Sequence, residues 1–292
     1  MALLLPLLAF LTGLMLATTS FASQLKTGLS SLLARCFIPI VIIYNMVFYQ
    51  AGSFSLMLFS FGVAVLLFYF FLYFSQNKLS ALCFSYVNMA WLGFPFAIAL
   101  FGTEISPAMV ALYIGGSIFG NLWAVTAVSN TPQPLSMILK KVLYSPPIVA
   151  LSLAALFWLL DIQHWLQQHG IDWIYAATKL GMTFSGMCVL GMWLRHTKVH
   201  RADLWQSTQT AGLKLLCGLV LCGLAYRFLP IPHIEQSIGA MFLLFCLPPA
   251  ANIVALETHY QGTGTSAKYI ASGTIVSCVV VSLYGVLLHL FM

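Results

Sequence analysis

The sequence predicts an all-α polytopic membrane protein of ten transmembrane helices, arranged as two inverted five-helix repeats with helices 4 and 9 discontinuous and crossed. Three observations predict it. The chain is 61% hydrophobic and only 6% charged over 292 residues, against about 25% charged in an ordinary soluble domain. It cannot cover a water-facing surface and belongs in a bilayer. Its apolar residues fall into ten stretches near the length of about 20 residues that a helix needs to cross a hydrocarbon core. Two of these stretches, at matching places in the two halves, are interrupted by proline and asparagine.

The stretches run over roughly 2–18, 28–49, 53–74, 78–100, 107–128, 142–160, 171–194, 210–229, 236–257 and 267–290, measured against that hydrocarbon thickness. The first ends Thr18-Thr19-Ser20-Phe21-Ala22-Ser23 and looks like a signal peptide there, but it has no basic residues at its start, and its removal would leave unequal halves; it is taken as a span. The second carries Pro39 and then Asn45, and the fourth carries Asn88, Gly93 and Pro95. After the fifth comes a polar stretch, Ser129 to Ser136, with Pro132 and Pro134. It divides a first repeat, 1–128, from a second, 142–292, through a linker over 129–141. An odd number of spans per half turns the second half upside down, and inverted repeats of this kind underlie alternating access in secondary transporters. Span 7 holds Lys179 and Ser185, and span 9 holds Pro248, Pro249 and Asn252 with Glu257 at its end.

Basic residues set the expected orientation. The connections 1–2, 3–4, 5–6, 7–8 and 9–10 hold Lys26, Lys78, Lys140, Lys141, Arg195, Lys198, Arg201 and Lys268, with Arg35 and Lys214 just inside neighbouring helices. The other side has Arg227 with the acidic Glu104, Asp161, Asp172 and Glu235. The positive-inside rule makes the basic side cytoplasmic and both termini extracytoplasmic, in the inner membrane. The net charge of +6 follows from this bias and does not call for nucleic acid. The seven cysteines lie inside apolar stretches without paired spacing, as small buried residues and not as a disulfide framework or a zinc site. His164, His169, His196 and His200 sit in or near loops with no acidic or cysteine partner at ligand spacing, so no metal or other cofactor is expected.

The two interrupted spans carry the chemistry. Pro95 removes a backbone donor and crowds the preceding turn, Gly93 permits a bend, and Asn88 offers donors and an acceptor to freed backbone or to a substrate. Two adjacent prolines, Pro248 and Pro249, make a continuous span 9 implausible. A half-helix starting after them would aim N–H groups and a positive dipole end into the membrane, which suits an anion. The readings set beside these are a plain proline kink for span 4, and a kink with Asn252 as a structural cap for span 9. Irregular backbone at membrane depth needs protein or a polar cavity around it, so the breaks are expected near Gly93–Pro95 and Pro248–Pro249, close together.

The chain resembles the auxin efflux carrier family, which includes bacterial malonate-permease-like proteins and is related in fold to plant PIN exporters and bile acid:sodium symporters. The resemblance rests on Asn88, Gly93-Phe94-Pro95-Phe96-Ala97 and Phe101-Gly102; on Ser145-Pro146-Pro147-Ile148-Val149-Ala150; on Leu190-Gly191-Met192-Trp193-Leu194; and on Pro248-Pro249-Ala250 with Tyr260-Gln261-Gly262. These pieces lie in the family's order along nearly the whole chain. The resemblance implies a permease in which Asn88 and Pro95 form the first crossover, and Pro249 and Asn252 the second, around the substrate. Asn45 is implied as a lining residue of span 2, with Ser185 its approximate mate in span 7; hydrogen bonding between helices is the other reading of both. Lys179 departs from the family, which often has proline near this place; it either snorkels outward or faces the cavity as a cation for a carboxylate. Glu257 and Gln261, four residues apart, resemble a sodium-site spacing of the bile acid symporters, the alternative being an interfacial glutamate.

The expected function is secondary active transport of a small organic anion, a carboxylate, with H+, Na+ or no coupling ion, as monomer or homodimer. A drug/metabolite-type exporter is the rival ten-span architecture, but it has cytoplasmic termini; a transport-inactive sensor on the same fold is a further alternative. An enzyme is not expected, because no His-Glu-x-x-His, no paired intramembrane aspartates and no nucleophile–base pair is present at depth.

Overall fold

In a computed structural model the described residues are 4–48, 52–129, 134–162, 171–232 and 234–291. Pro132 of the expected linker, His164 and His169 lie outside them. The described residues are helical throughout and form no strand beyond one isolated bridge. We number the helices by the stretches that form them. They are α1 (Leu4–Leu16), α2 (Ala22–Val47, with a π turn at Leu33–Phe37), α3 (Ser53–Ser75), α4a (Lys78–Ser85) and α4b (Met89–Phe101), followed by α5 (Ser106–Val128). In the second half come α6a (Leu135–Leu143), α6b (Pro146–Leu159), α7 (Asp172–His196), α8 (Arg201–Phe228), α9a (Ile234–Cys246), α9b (Asn252–Gln261) and α10 (Ser266–Phe291). Each of the ten apolar stretches thus falls on one helix or one pair.

Five helices are long and apolar enough to cross a membrane, namely Ala22–Val47, Ser53–Ser75, Thr103–Val128, Arg201–Phe228 and Ser266–Leu290. The pair α6a and α6b, bent by 56°, adds a sixth if counted as one span. Helix α1, α4b and α9a are apolar but shorter. Helix α7 has the length but carries Asp172, Lys179 and Arg195. The molecule is a helical membrane protein by composition and by its reversed surface. Leu216, Leu219, Val220 and Leu224 of α8 and Leu283, Val286, Leu287 and Leu290 of α10 are exposed, while Asn45, Asn88, Lys214 and Glu257 are buried. Lipid tails, unlike water, give such apolar side chains no reason to hide.

Local chemistry sets the helix ends. The Asn77 side chain accepts from the Ser80 amide at 3.0 Å and starts α4a. His200 and Asp203 form a reciprocal capping box at the start of α8, which satisfies two otherwise orphaned donors. Pro147 lies in the first turn of α6b, where a missing N–H costs nothing.

The helices pack in two groups, α1, α2, α6b and α7 in one and α3, α4, α5, α8, α9 and α10 in the other. They meet where α7 packs on the turn Met89–Gly93 and where α2 meets α5. Within the second group α3 and α5 touch backbone to backbone. A Cβ on Gly115 would sit 2.1 Å from the Met57 carbonyl oxygen, the close approach that small residues allow between membrane helices.

Candidate functional site

The two interrupted stretches break and pair with each other. Helix α4a stops at Ser85, and Tyr86 is extended with φ −95° and ψ 108°. Helix α9a stops at Cys246, and α9b starts only at Asn252. Between them Val87 and Pro249 form an antiparallel bridge. The Asn88 amide donates to the Pro248 carbonyl at 2.9 Å, and the Ala250 amide donates to the Tyr86 carbonyl at 2.8 Å. Each break therefore satisfies the other's freed backbone, as peptide groups without water must. The site joins residues 162 positions apart along the chain, from the first half to the second.

Asn88 opens the second half of the broken helix. Its Oδ1 accepts from the Trp91 amide at 3.2 Å, capping the π turn Met89–Gly93 that leads into Pro95. Its Nδ2 is buried with no hydrogen-bond partner, alone in this among the buried side-chain atoms of the described residues. A buried donor left unmade costs free energy, so Nδ2 is the atom in the break that a ligand acceptor would relieve. Asn252 lies across the bridge and is exposed; its Nδ2 donates to the Tyr86 hydroxyl at 3.2 Å. It is not the cap of α9b, since Ala251 takes that place without a side-chain bond. The Tyr86 ring fits because Gly120 of α5 has no side chain; a Cβ there would sit 2.2 Å from the ring.

Two expectations about this region are corrected. The first break lies at Tyr86–Asn88 and not at Gly93–Pro95. Pro95 lies directly after the π turn Met89–Gly93, as the second residue of the α-helical segment Phe94–Phe101, and α4b stays helical through it to Phe101. Pro95 is buried but breaks nothing, whereas Pro249 does lie in the bridge.

The other candidates sit apart from the bridge or serve different ends. Asn45 is buried, and its Nδ2 donates to the Val41 carbonyl at 2.7 Å and the Tyr175 hydroxyl at 3.0 Å, tying α2 to α7. Tyr175 stacks on Tyr44 at 3.9 Å between centroids, and the Tyr44 hydroxyl donates to Asp172 at 2.5 Å. The Lys179 ammonium lies 4.3 Å over the Tyr175 ring in the same seam, a cation–π contact. Ser185 is buried on α7, one turn before Cys188 and Val189, which pack with Trp91 of the π turn.

Glu257 is fully buried and serves the start of α10. One carboxylate oxygen accepts from the Thr263 hydroxyl at 2.6 Å and from the Thr265 amide and hydroxyl at 2.7 Å each. The other accepts from the Ser266 amide at 2.8 Å and from the Ser266 hydroxyl. Donors fill both oxygens, two of them amides that cannot turn away, and a cation needs lone pairs in their place. The carboxylate is the negative charge that a helix start favours. Gln261 is only partly buried and stands beside this knot. Glu257 therefore closes the loop between α9b and α10. The Thr263-x-Thr265-Ser266 run after Gly262 was the signal in the sequence for such a cap.

Lys214, read in the sequence only as a basic residue just inside its helix, is the buried cation beside the second break. It is 4% exposed, and its Nζ donates to the Leu247 carbonyl at 2.6 Å, one residue past the end of α9a. A cation at a helix C-terminus is favourable, because the last carbonyls there have no intrahelical partner. Consecutive carbonyls, Leu247 and Pro248, are thus held from opposite halves, by Lys214 and by the Asn88 amide. Among the described residues, no three His, Cys, Asp or Glu side chains come together as a metal site. No protein-family model matches this chain, and no curated protein matches it.

Proposed function

We propose that this protein is a secondary transporter of the inner membrane that moves a small organic anion, a carboxylate, by alternating access. The observation that carries the reading is the mutual hydrogen bonding of two broken helices, one from each half of the chain, with a buried unpaired donor on Asn88 beside it. Irregular backbone at membrane depth, at corresponding places in two halves, marks the binding site in carriers built from inverted repeats. On this reading the ten helical stretches are ten spans, the halves 1–128 and 142–292 are inverted repeats, and both termini are extracytoplasmic. Asn88, Asn252 and the half-helix starts at Met89 and Asn252 face the substrate. The resemblance to auxin efflux carriers supports the same assignment. The group of α1, α2, α6b and α7 serves as the frame against which the group holding the bridge moves. Asn45, Tyr175 and Lys179 then stiffen the frame, and Ser185 lies where frame and bridge touch.

The test is uptake of radiolabelled acetate, malonate and larger carboxylates into liposomes carrying the purified protein. At least one acid should accumulate in a saturable way that Asn88→Ala weakens. Uptake of none of them by folded protein, under an imposed proton or sodium gradient or without one, overturns the reading.

A further inference from the structure

Behind the paired breaks lies a cavity of about 70 Å³, lined by Ser80 and Cys83 of α4a, Ser207 and Lys214 of α8, Pro249, and Ser277 of α10. It leads from the exposed Gln206 inward to the buried Lys214. Among the described residues, no acidic residue lines it and none pairs with Lys214 within ion-pair distance. Of the three donors on the ammonium, one is accounted for by the Leu247 carbonyl. A buried cation without a counter-charge is costly, and a single carbonyl with a helix end compensates it only in part. The lining is mostly apolar, with Phe71, Phe84 and Phe245 in it, but α4a, α8 and α10 each add a hydroxyl, from Ser80, Ser207 and Ser277, and the space has room for a few waters or one small anionic group.

We propose that this cavity is an anion site, in which Lys214 and the hydroxyl-bearing wall take one carboxylate group of a small acid, separately from Asn88. Its ligand class rests on the carrier reading; its place rests on the cavity alone. The mouth is at the end of the bundle that carries Lys78, Arg201 and Lys268, since Ser80, Gln206 and Tyr269 line it there. Lys268 pairs there with Asp203 at 4.0 Å, and Lys78 and Arg201 raise the local concentration of anions. An anion takes the donors of Lys214 that the Leu247 carbonyl leaves over, so occupancy bears on the end of α9a, where that carbonyl lies, and through it on the bridge.

Cys83 supplies the readout because it lines the same cavity. Full-length protein in lipid nanodiscs is treated with methyl methanethiosulfonate, and modification at Cys83 is followed by mass spectrometry with malonate, acetate or chloride present. Malonate or acetate should slow Cys83 modification at least fivefold while leaving Cys36, which lies outside the cavity, unchanged. Lys214→Met should abolish protection, and Lys214→Arg should keep part of it. Should Lys214→Met not yield folded protein, Ser277→Val decides, since it fills the wall with the lysine in place and should weaken protection by a factor of three or more. Asn88→Ala should lose uptake yet keep protection. Protection without liposome uptake would sink the carrier reading and leave this site standing. Unprotected Cys83 in the wild type, protection by chloride alone, or equal protection in Lys214→Met or Ser277→Val would overturn the site.

Discussion

Replacing Asn88 by alanine separates a binding asparagine from a structural one, because its two side-chain atoms have opposite stability effects. Losing Oδ1 removes the cap on the Trp91 amide, and capping residues contribute about 0.5–2 kcal/mol. Losing Nδ2 removes a buried donor that has no partner, and an unmade buried hydrogen bond costs about 1–3 kcal/mol. The two terms oppose each other, so Asn88→Ala should lower folding stability by no more than about 1 kcal/mol. On the proposed carrier reading the same Nδ2 gains its acceptor when substrate binds. Its loss should then weaken apparent affinity by about 1–3 kcal/mol, roughly five- to 150-fold. Asn88→Asp keeps the capping oxygen and replaces the donor by a carboxylate oxygen, so it should bind an anion worse than alanine does. The assays are liposome uptake against substrate concentration and thermal unfolding of the same preparations. A large loss of thermal stability in Asn88→Ala, with unchanged half-saturation in the surviving protein, would refute the argument and make Asn88 a cap.

Other substitutions test the rest. Asn252→Ala removes one exposed hydrogen bond to Tyr86, so stability should fall by at most about 1 kcal/mol while uptake falls; lost stability with normal uptake would confine Asn252 to holding Tyr86. Glu257→Gln turns an amide NH2 toward a knot of donors and should destabilise by about 2 kcal/mol or more, with no change in the sodium or proton dependence of uptake in the folded fraction; a changed ion dependence would restore Glu257 as a coupling residue. Gly120→Ala puts a methyl into the Tyr86 ring and should lower thermal stability by about 1–3 kcal/mol, and uptake with it; wild-type behaviour in both would show that the ring has free space. A periplasm-active enzyme fused after Met292 should be active and a cytoplasm-only reporter inactive; the reverse would overturn the proposed topology.

Much of the architecture was legible because it follows from local composition. The ten apolar stretches fell on helices, and the Pro248-Pro249 pair marked the α9 break, since two adjacent prolines remove donors whatever surrounds them. The break in the fourth stretch was misplaced for the complementary reason. No proline sits at Tyr86–Asn88; the chain is extended there because carbonyls and amides around Pro249, far along the sequence, pair with it. A proline seven residues later drew attention, although α4b stays helical through it. Lys214 was illegible in the same sense. In sequence it is a basic residue near the start of an apolar run, and such residues usually snorkel. Only packing shows that its partner is a backbone carbonyl 33 residues on, at the end of a helix broken by prolines. These two misses share a cause. Backbone left unsatisfied by prolines in one half is satisfied from elsewhere, by an extended strand of the other half and by a buried cation. Sequence announces the deficit, and the fold chooses what fills it. The orphan donor on Asn88 and the donors left over on the Lys214 ammonium are the groups beside the breaks, among the described residues, that the fold has not filled, which is why ligand binding is to be measured there.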